Sequence, residues 1–437
     1  MFLAAIALAL SGSGIPGGGV SGSDAPEAGD KGGSGLALLA AKVFTCPYEG
    51  PQVVDRAVVL IQDGKIQAVG SRDELAVPAG FELLDLGDSW LAPGFIDLHC
   101  HAAGANLFAG VNDLNDMVYL ANPGLRASAA VEPWVWEMRQ AIAGGVTTVL
   151  YIPGSGTNIG GQGVLVKSAF NFYEENLVRD PGSLKIAQWG NPESWGPGVA
   201  MSFENWNTRT ALRRGVAYAE RWKAHAEGKG PEPRRNIEWD VFRDLVGNEI
   251  AISVHTQVYQ VVLMTITMIA GEFDLPVFTD HSEIGGWLAA PEAVKEGVPA
   301  IIGPRNVDHV YNRGFINWAR NKHEGVRGLA AGWQELGQKD LGFNTDSPFV
   351  PEEELLVQAT MGVRYGLDDS GLAALRGLTI VPARTAKIDA RVGSLEAGKD
   401  ADILVCDGYP VDPRTSIRLV FVNGRRAYDA ERDGRRW

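Results

Sequence analysis

Between Phe95 and about Ile380, short apolar runs alternate with stretches of helical pattern, and this alternation constrains the fold more than any other feature of the 437-residue chain. The candidate strands are Gly94 to Leu98, Val146 to Ile152, Gly163 to Val166, Leu184 to Trp189, Ile250 to Val254, Leu275 to Phe278, Ala300 to Ile302 and Leu341 to Phe343. The helical stretches include Pro133 to Ala143, Thr208 to Glu227, Trp239 to Leu245, Val258 to Ala270, Ala293 to Glu296 and Glu352 to Tyr365. Parallel strands need crossover connections, and crossover helices cover the outer face of the sheet they return across. Eight strands separated by helices therefore predict an α/β fold, a parallel (β/α)8 barrel. The two ends of the chain read differently. Ala37 to Thr45, Ala57 to Gln62, Ile66 to Val69 and Phe81 to Leu86 are β-like, and Asp63-Gly64 between two apolar runs is a hairpin signal. Ala401 to Cys406 and Ile417 to Val422 are also β-like, with Asn423-Gly424 as the next turn.

Composition narrows the function. With 45% apolar and 21% charged residues the chain can bury a large core, which argues against disorder or a polytopic membrane protein. A net charge of −14 disfavours phosphate backbones and anionic lipid surfaces, so the expected partners include neither nucleic acid nor an inserted membrane. The expected partner is a small molecule, and a homo-oligomer stays open. Cys46, Cys100 and Cys406 form no C-x-x-C pair, so a metal would have to rest on histidine and carboxylate. The apolar run Met1 to Leu10 is shorter than the roughly 20 residues a membrane span requires. It precedes a Gly/Ser/Pro-rich stretch to about Ser34, and no Lys or Arg stands before it. Residues 1–35 read as a signal-like segment and tether, which favours export to the periplasm or beyond, with a stray apolar tail on a cytoplasmic protein as the alternative.

Seven histidines are few enough for their placement to be informative. In Gly94-Phe-Ile-Asp-Leu-His99-Cys100-His101, strand alternation turns both imidazoles to one side at the end of an apolar strand, where they could share a metal ion. His255 follows the apolar run Ile252-Ser-Val, His281 follows Val277-Phe-Thr-Asp, and Asp346 follows Phe343-Asn-Thr. All of these lie at the same end of predicted barrel strands, where the active sites of such barrels sit. His225 and His323 read as solvated, while His309, after Ile302-Gly303-Pro304-Arg305, is a candidate for the substrate pocket. Gly154-Ser-Gly-Thr-Asn-Ile-Gly-Gly-Gln-Gly163 lacks the ending of a phosphate loop and reads as an active-site loop after the second strand, with Asn158 and Gln162 as candidate substrate ligands. The span from His99 to Asp346, 346 − 99 = 247 positions, fits one barrel of about 250 residues.

With Leu91-Ala-Pro-Gly-Phe-Ile-Asp-Leu-His-Cys-His101, Gly145-Val-Thr-Thr-Val149, the two lone histidines, Thr345-Asp346-Ser347 and Val392-Gly-Ser-Leu-Glu-Ala-Gly-Lys-Asp-Ala-Asp-Ile-Leu-Val405 in this order, the chain resembles the amidohydrolase superfamily. The resemblance runs from Leu36 to Tyr428 and points to the group similar to imidazolonepropionases and to dipeptidases acting on proline or arginine peptides. It implies a small β-sandwich built from 36–92 and 386–437 beside a catalytic barrel at 93–385. It also implies a divalent transition metal, zinc by default, as one ion or two, bound by His99, His101 and Asp346 and completed by His255, His281 or both. In binuclear members a carboxylated lysine bridges the ions. Lys185 in Leu184-Lys-Ile-Ala-Gln-Trp-Gly190 resembles that position, Lys167 is its rival, and a mononuclear site needs neither.

The reaction this implies is hydrolysis of a C–N bond in an amide, lactam or small peptide. A divalent ion among neutral imidazoles lowers the pKa of water from about 15.7 toward about 7. Asp346 would take the water's proton and pass it to the leaving nitrogen, with His281 polarising the carbonyl where it is not solely a ligand. Asp346-Ser-Pro348 also reads as a helix cap. Fold and metal do not decide the reaction, so a deaminase, lyase or decarboxylase on the same site, or a metal-bearing binding protein without turnover, stand as alternatives.

Overall fold

The computed structural model describes residues 35–104, 115–116, 119–188, 200–304 and 328–434. Residues 1–34 of the expected leader, Trp189 at the end of the fourth expected strand, His323 and the candidate pocket residue His309 lie outside the described residues. In chain order the strands are β1 Leu36–Phe44, β2 Val53–Gln62, β3 Lys65–Ser71, β4 Glu82–Asp85 and β5 Trp90–Pro93. The middle of the chain supplies β6 Phe95–Cys100, β7 Val146–Tyr151, β8 Ile159–Lys167, β9 Leu177–Ala187, β10 Ala251–His255, β11 Val277–His281, β12 Ala300–Ile302 and β13 Leu341–Phe343. The end of the chain adds β14 Ile403–Cys406, β15 Ile417–Val422 and β16 Arg425–Asp429.

Both chain ends enter one 8-stranded sheet, ordered β16-β15-β14-β5-β1-β2-β3 with β4 paired to β1. The expected sandwich is thus one hydrogen-bonded sheet around a shared core, in which Leu38, Val59 and Ile61 from the beginning of the chain meet Ile403, Val405 and Phe421 from its end. The turns signalled by sequence are present: Asp63 and Gly64 (φ 52° and 74°), and Asn423 and Gly424 (φ 49° and 70°), carry the paired positive φ of a two-residue hairpin turn. The turns also touch each other, since a Cβ on Gly64 would lie 3.0 Å from the Asn423 carbonyl oxygen.

β6 to β13 form the second 8-stranded sheet in sequence order. It closes on itself where Cys100 bridges Ser347 and the His101 N–H donates to the Ser347 carbonyl at 2.7 Å. The barrel is therefore built from the eight runs expected, and their residues are buried almost throughout, as strands covered on both faces must be. One strand departs from the all-parallel expectation: β8 runs antiparallel to both β7 and β9. The cause is connection length. Only residues 152–158 separate β7 from β8, whereas a return across the sheet takes roughly a dozen residues or more. The glycine-rich segment is correspondingly both connection and strand, because Ile159 to Gly163 already belong to β8.

Candidate metal centre

The C-terminal ends of β6, β9, β10, β11 and β13 bring six side chains together. His99 and His101 sit at the end of β6 with their Nε2 atoms 3.1 Å apart. Asp346, just past β13, places Oδ1 3.3 Å from both of those nitrogens and Oδ2 3.8 Å from His281 Nε2. His255 and His281 end the neighbouring strands β10 and β11, with ring centroids 4.1 Å apart. Lys185, in β9 opposite Ser253, is fully buried with Nζ 3.5 Å from His99 Nε2. The helix-cap reading of Asp346 is not realised, since the next helical turn starts at Glu352. Asp346 instead adopts a left-handed conformation (φ 51°) as the chain leaves the barrel.

Each imidazole is also engaged from behind. His101 Nδ1 lies 2.8 Å from the Ile152 carbonyl oxygen, His255 Nδ1 2.8 Å from Ser155 Oγ, and His281 Nδ1 3.3 Å from Glu283 Oε1. His99 Nδ1 is 3.1 Å from Asp280 Oδ2, an oblique approach rather than a straight hydrogen bond. A partner behind an imidazole is the kind of group that orients the ring and selects its tautomer. Asp280, Ser155 and Glu283 were not singled out from sequence. Strand alternation should send Asp280 and His281 to opposite faces, but φ 67° at His281 breaks the extended backbone, so both approach His99.

Burial and mutual charge set the protonation. Burial, and then His99, push the His281 imidazolium down to about 3. Burial also holds His101 below and His255 well below the ordinary histidine value. For His99 burial and Lys185 act downward, but Asp280 and Asp346 outweigh them and the net shift is upward. Asp346 is held well below the usual carboxylate range, because His281, His101 and His99 overcome its burial. Lys185 is lowered by desolvation.

The residues suit a metal. One ligand atom each from His99, His255 and His281, and likewise from His99, His101 and Asp346, lie within 4.8 Å of one another. His281 Nε2 is buried without a hydrogen-bond partner, an arrangement that is costly unless something else is bound there. Neutral imidazole and carboxylate donors match zinc and its first-row neighbours.

Other residues singled out from sequence lie elsewhere. Because β8 is antiparallel, Lys167 ends at the opposite mouth of the barrel, paired with Thr148 near the start of β7, so it is not a rival for the bridging position. There its ammonium contacts Asp400, Asp402 and Asn423. Asn158 and Gln162 belong to the scaffold rather than to an open pocket. Asn158 is buried, donating to the Ala187 carbonyl and accepting from Asn207 and Thr208, which ties the loop to the helix Met201–Ala226. Gln162 is buried and donates to the Pro123 carbonyl at 2.8 Å.

Comparison with known proteins bears on the family likeness and the fold. The Amidohydrolase family profile matches residues 278–427, from β11 through the closing strands. An amidohydrolase of Hapsidospora irregularis is 25% identical over 413 residues, 87% of this chain, and the chain spans 40% of that relative's length. An imidazolonepropionase of Brucella anthropi is 26% identical over 381 residues, covering 82% of this chain and 89% of its own. The crystal structure of an amidohydrolase from Thermotoga maritima shares the fold with a TM-score of 0.77 at 24% identity, over 90% of this chain and 100% of the other. A match running from the sixth barrel strand into the shared terminal sheet and relatives aligned along most of the chain show its likeness to the amidohydrolase superfamily, and the Thermotoga structure shows the shared fold.

Proposed function

We propose that this protein is a divalent-metal-dependent hydrolase that cleaves a C–N bond in an amide, lactam or small peptide. The observation that carries the reading is the gathering of His99, His101, His255, His281 and Asp346 at one mouth of the barrel, in two overlapping sets of three that share His99. The relatives named amidohydrolase and imidazolonepropionase support the same class. His99, His101 and Asp346, with His255 and His281, would hold the ion, for which zinc is the first choice. Bound there, a divalent cation would supply acidification of water, lowering its pKa toward about 7, and polarisation of a carbonyl. Asp346, kept ionised by its histidine neighbours, accepts the proton of the attacking water and returns it to the departing nitrogen. His281, kept neutral by burial, orients the scissile carbonyl where it is not wholly engaged as a ligand. Were there a second ion, Lys185 would serve it as a carbamate, because an ammonium has no lone pair to donate.

Metal analysis of purified protein, together with an amide, lactam and dipeptide panel for the wild type, His99→Ala and Asp346→Asn, tests the reading. Bound transition metal and amine plus carboxylate products, lost in both variants, are expected. Absence of metal with activity unchanged in His99→Ala would falsify it, and release of ammonia or carbon dioxide would move the reaction to a deaminase or decarboxylase.

A further inference from the structure

Asp280 is fully buried on β11, and neither of its carboxylate oxygens has a well-aligned hydrogen bond. A carboxylate in such a place is costly unless cationic or polar groups answer it. The groups that face it are His99, with Nδ1 at 3.1 Å, and Lys185, with Nζ at 3.6 Å. The other nitrogen of His99, Nε2, faces Asp346 and His101. His99 thus lies between two carboxylates, one on the side of the ligand cluster and one behind it. A neutral imidazole has a single lone pair, and whichever nitrogen carries the proton cannot be a ligand.

We propose that Asp280 is the positioning residue of the centre: its carboxylate takes the Nδ1–H of His99 and so presents the Nε2 lone pair to the ion. Coordination makes the Nδ1–H more acidic, and the adjacent carboxylate then stabilises the ligand in the form the ion needs. This rests on the metal-dependent reading above.

Zinc affinity, measured by competition with a chromogenic chelator, tests it in the wild type and in Asp280→Asn, which keeps the volume and an acceptor oxygen but loses the charge. The expected result is a zinc dissociation constant raised about 10–100-fold, the range for loss of such an outer partner, with the far-UV spectrum of the metal-free protein unchanged. Nitrogen-15 NMR of the zinc-loaded wild type should show His99 protonated at Nδ1. Should Asp280→Asn fail to fold, that tautomer decides the matter without it. Equal zinc affinity in the folded variant, or a zinc-loaded His99 protonated at Nε2, overturns this inference and leaves the hydrolase reading standing. A wild type that binds no divalent metal overturns both.

Discussion

Replacing Lys167 by Met separates a clamp from a catalytic lysine. Lys167 is buried, with Nζ 2.7 Å from Asp400 Oδ2, 2.9 Å from Asp402 Oδ2 and 2.5 Å from Asn423 Oδ1. It therefore ties the end of β8 to the chain entering β14 and to the turn between β15 and β16. Breaking a buried ion pair from one side costs about 3–5 kcal/mol, because the partner charge stays buried without a counter-ion. The loss should be unequal between the two acids. Asp400 keeps Arg391 at 3.0 Å and an ion pair with Lys65, whereas Asp402 has no other cation within ion-pair distance among the described residues. The loss should thus reach about 3 kcal/mol at pH 7, and Lys167→Met/Asp402→Asn should recover a large part of it. The sign with pH is determined too. In the wild type Lys167 helps depress Asp400 from its ordinary 3.8 to about 2, so that stabilisation is present above about pH 4 and fades as pH falls toward 2. In the variant, acid instead relieves the stranded carboxylate by protonating it. Both effects narrow the gap as pH falls. Equilibrium urea unfolding at pH 7 and pH 3 reads the difference, with zinc content measured alongside at pH 7 and expected to be unchanged. A loss below about 1 kcal/mol at pH 7, or a gap that widens in acid, would refute the reasoning.

Glu352→Gln should become progressively more stable than the wild type as pH rises above about 4.5. Burial first, then Asp97, hold Glu352 well above its ordinary 4.5, so its favourable contribution is complete below that value and fades on ionisation; a difference independent of pH would count against this. Stripping the metal with a chelator should lower Tm, and zinc should restore it. Saturation at about 1,000 times Kd adds about 4 kcal/mol, or roughly 5 °C for a chain of this size at about 2 cal/mol/K per residue, so calorimetry showing no shift would contradict tight binding to the folded state. Asn158→Ala should cost about 2–3 kcal/mol by stranding the Ala187 carbonyl and the Asn207 amide, while leaving KM for any substrate found within about twofold; a KM effect without a stability loss would return Asn158 to the substrate pocket.

Much of this molecule is legible before folding. The eight apolar runs, the hairpin turns at Asp63-Gly64 and Asn423-Gly424, and the chemistry of His99, His101, His255, His281 and Asp346 are local, and local rules of periodicity, turn conformation and donor type reach them. The direction of β8 was legible in principle, because the connection from β7 is too short to cross the sheet, but spacing of apolar runs alone does not reveal direction. That reversal sends Lys167 to the mouth away from the histidines and leaves Lys185 beside them. Asp280 and Ser155 were hidden for another reason: each meets a ring nitrogen of a residue far away in the chain, and at Asp280 the left-handed His281 breaks the alternation from which its direction would be inferred; Glu283 stands only two residues from His281, but across the same left-handed backbone. Sequence by itself determined which donors the chain owns and that they stand at strand ends. Tertiary structure alone decided which of them meet and which partner holds the back of each ring, because barrel closure and backbone direction set distances between residues far apart in the chain.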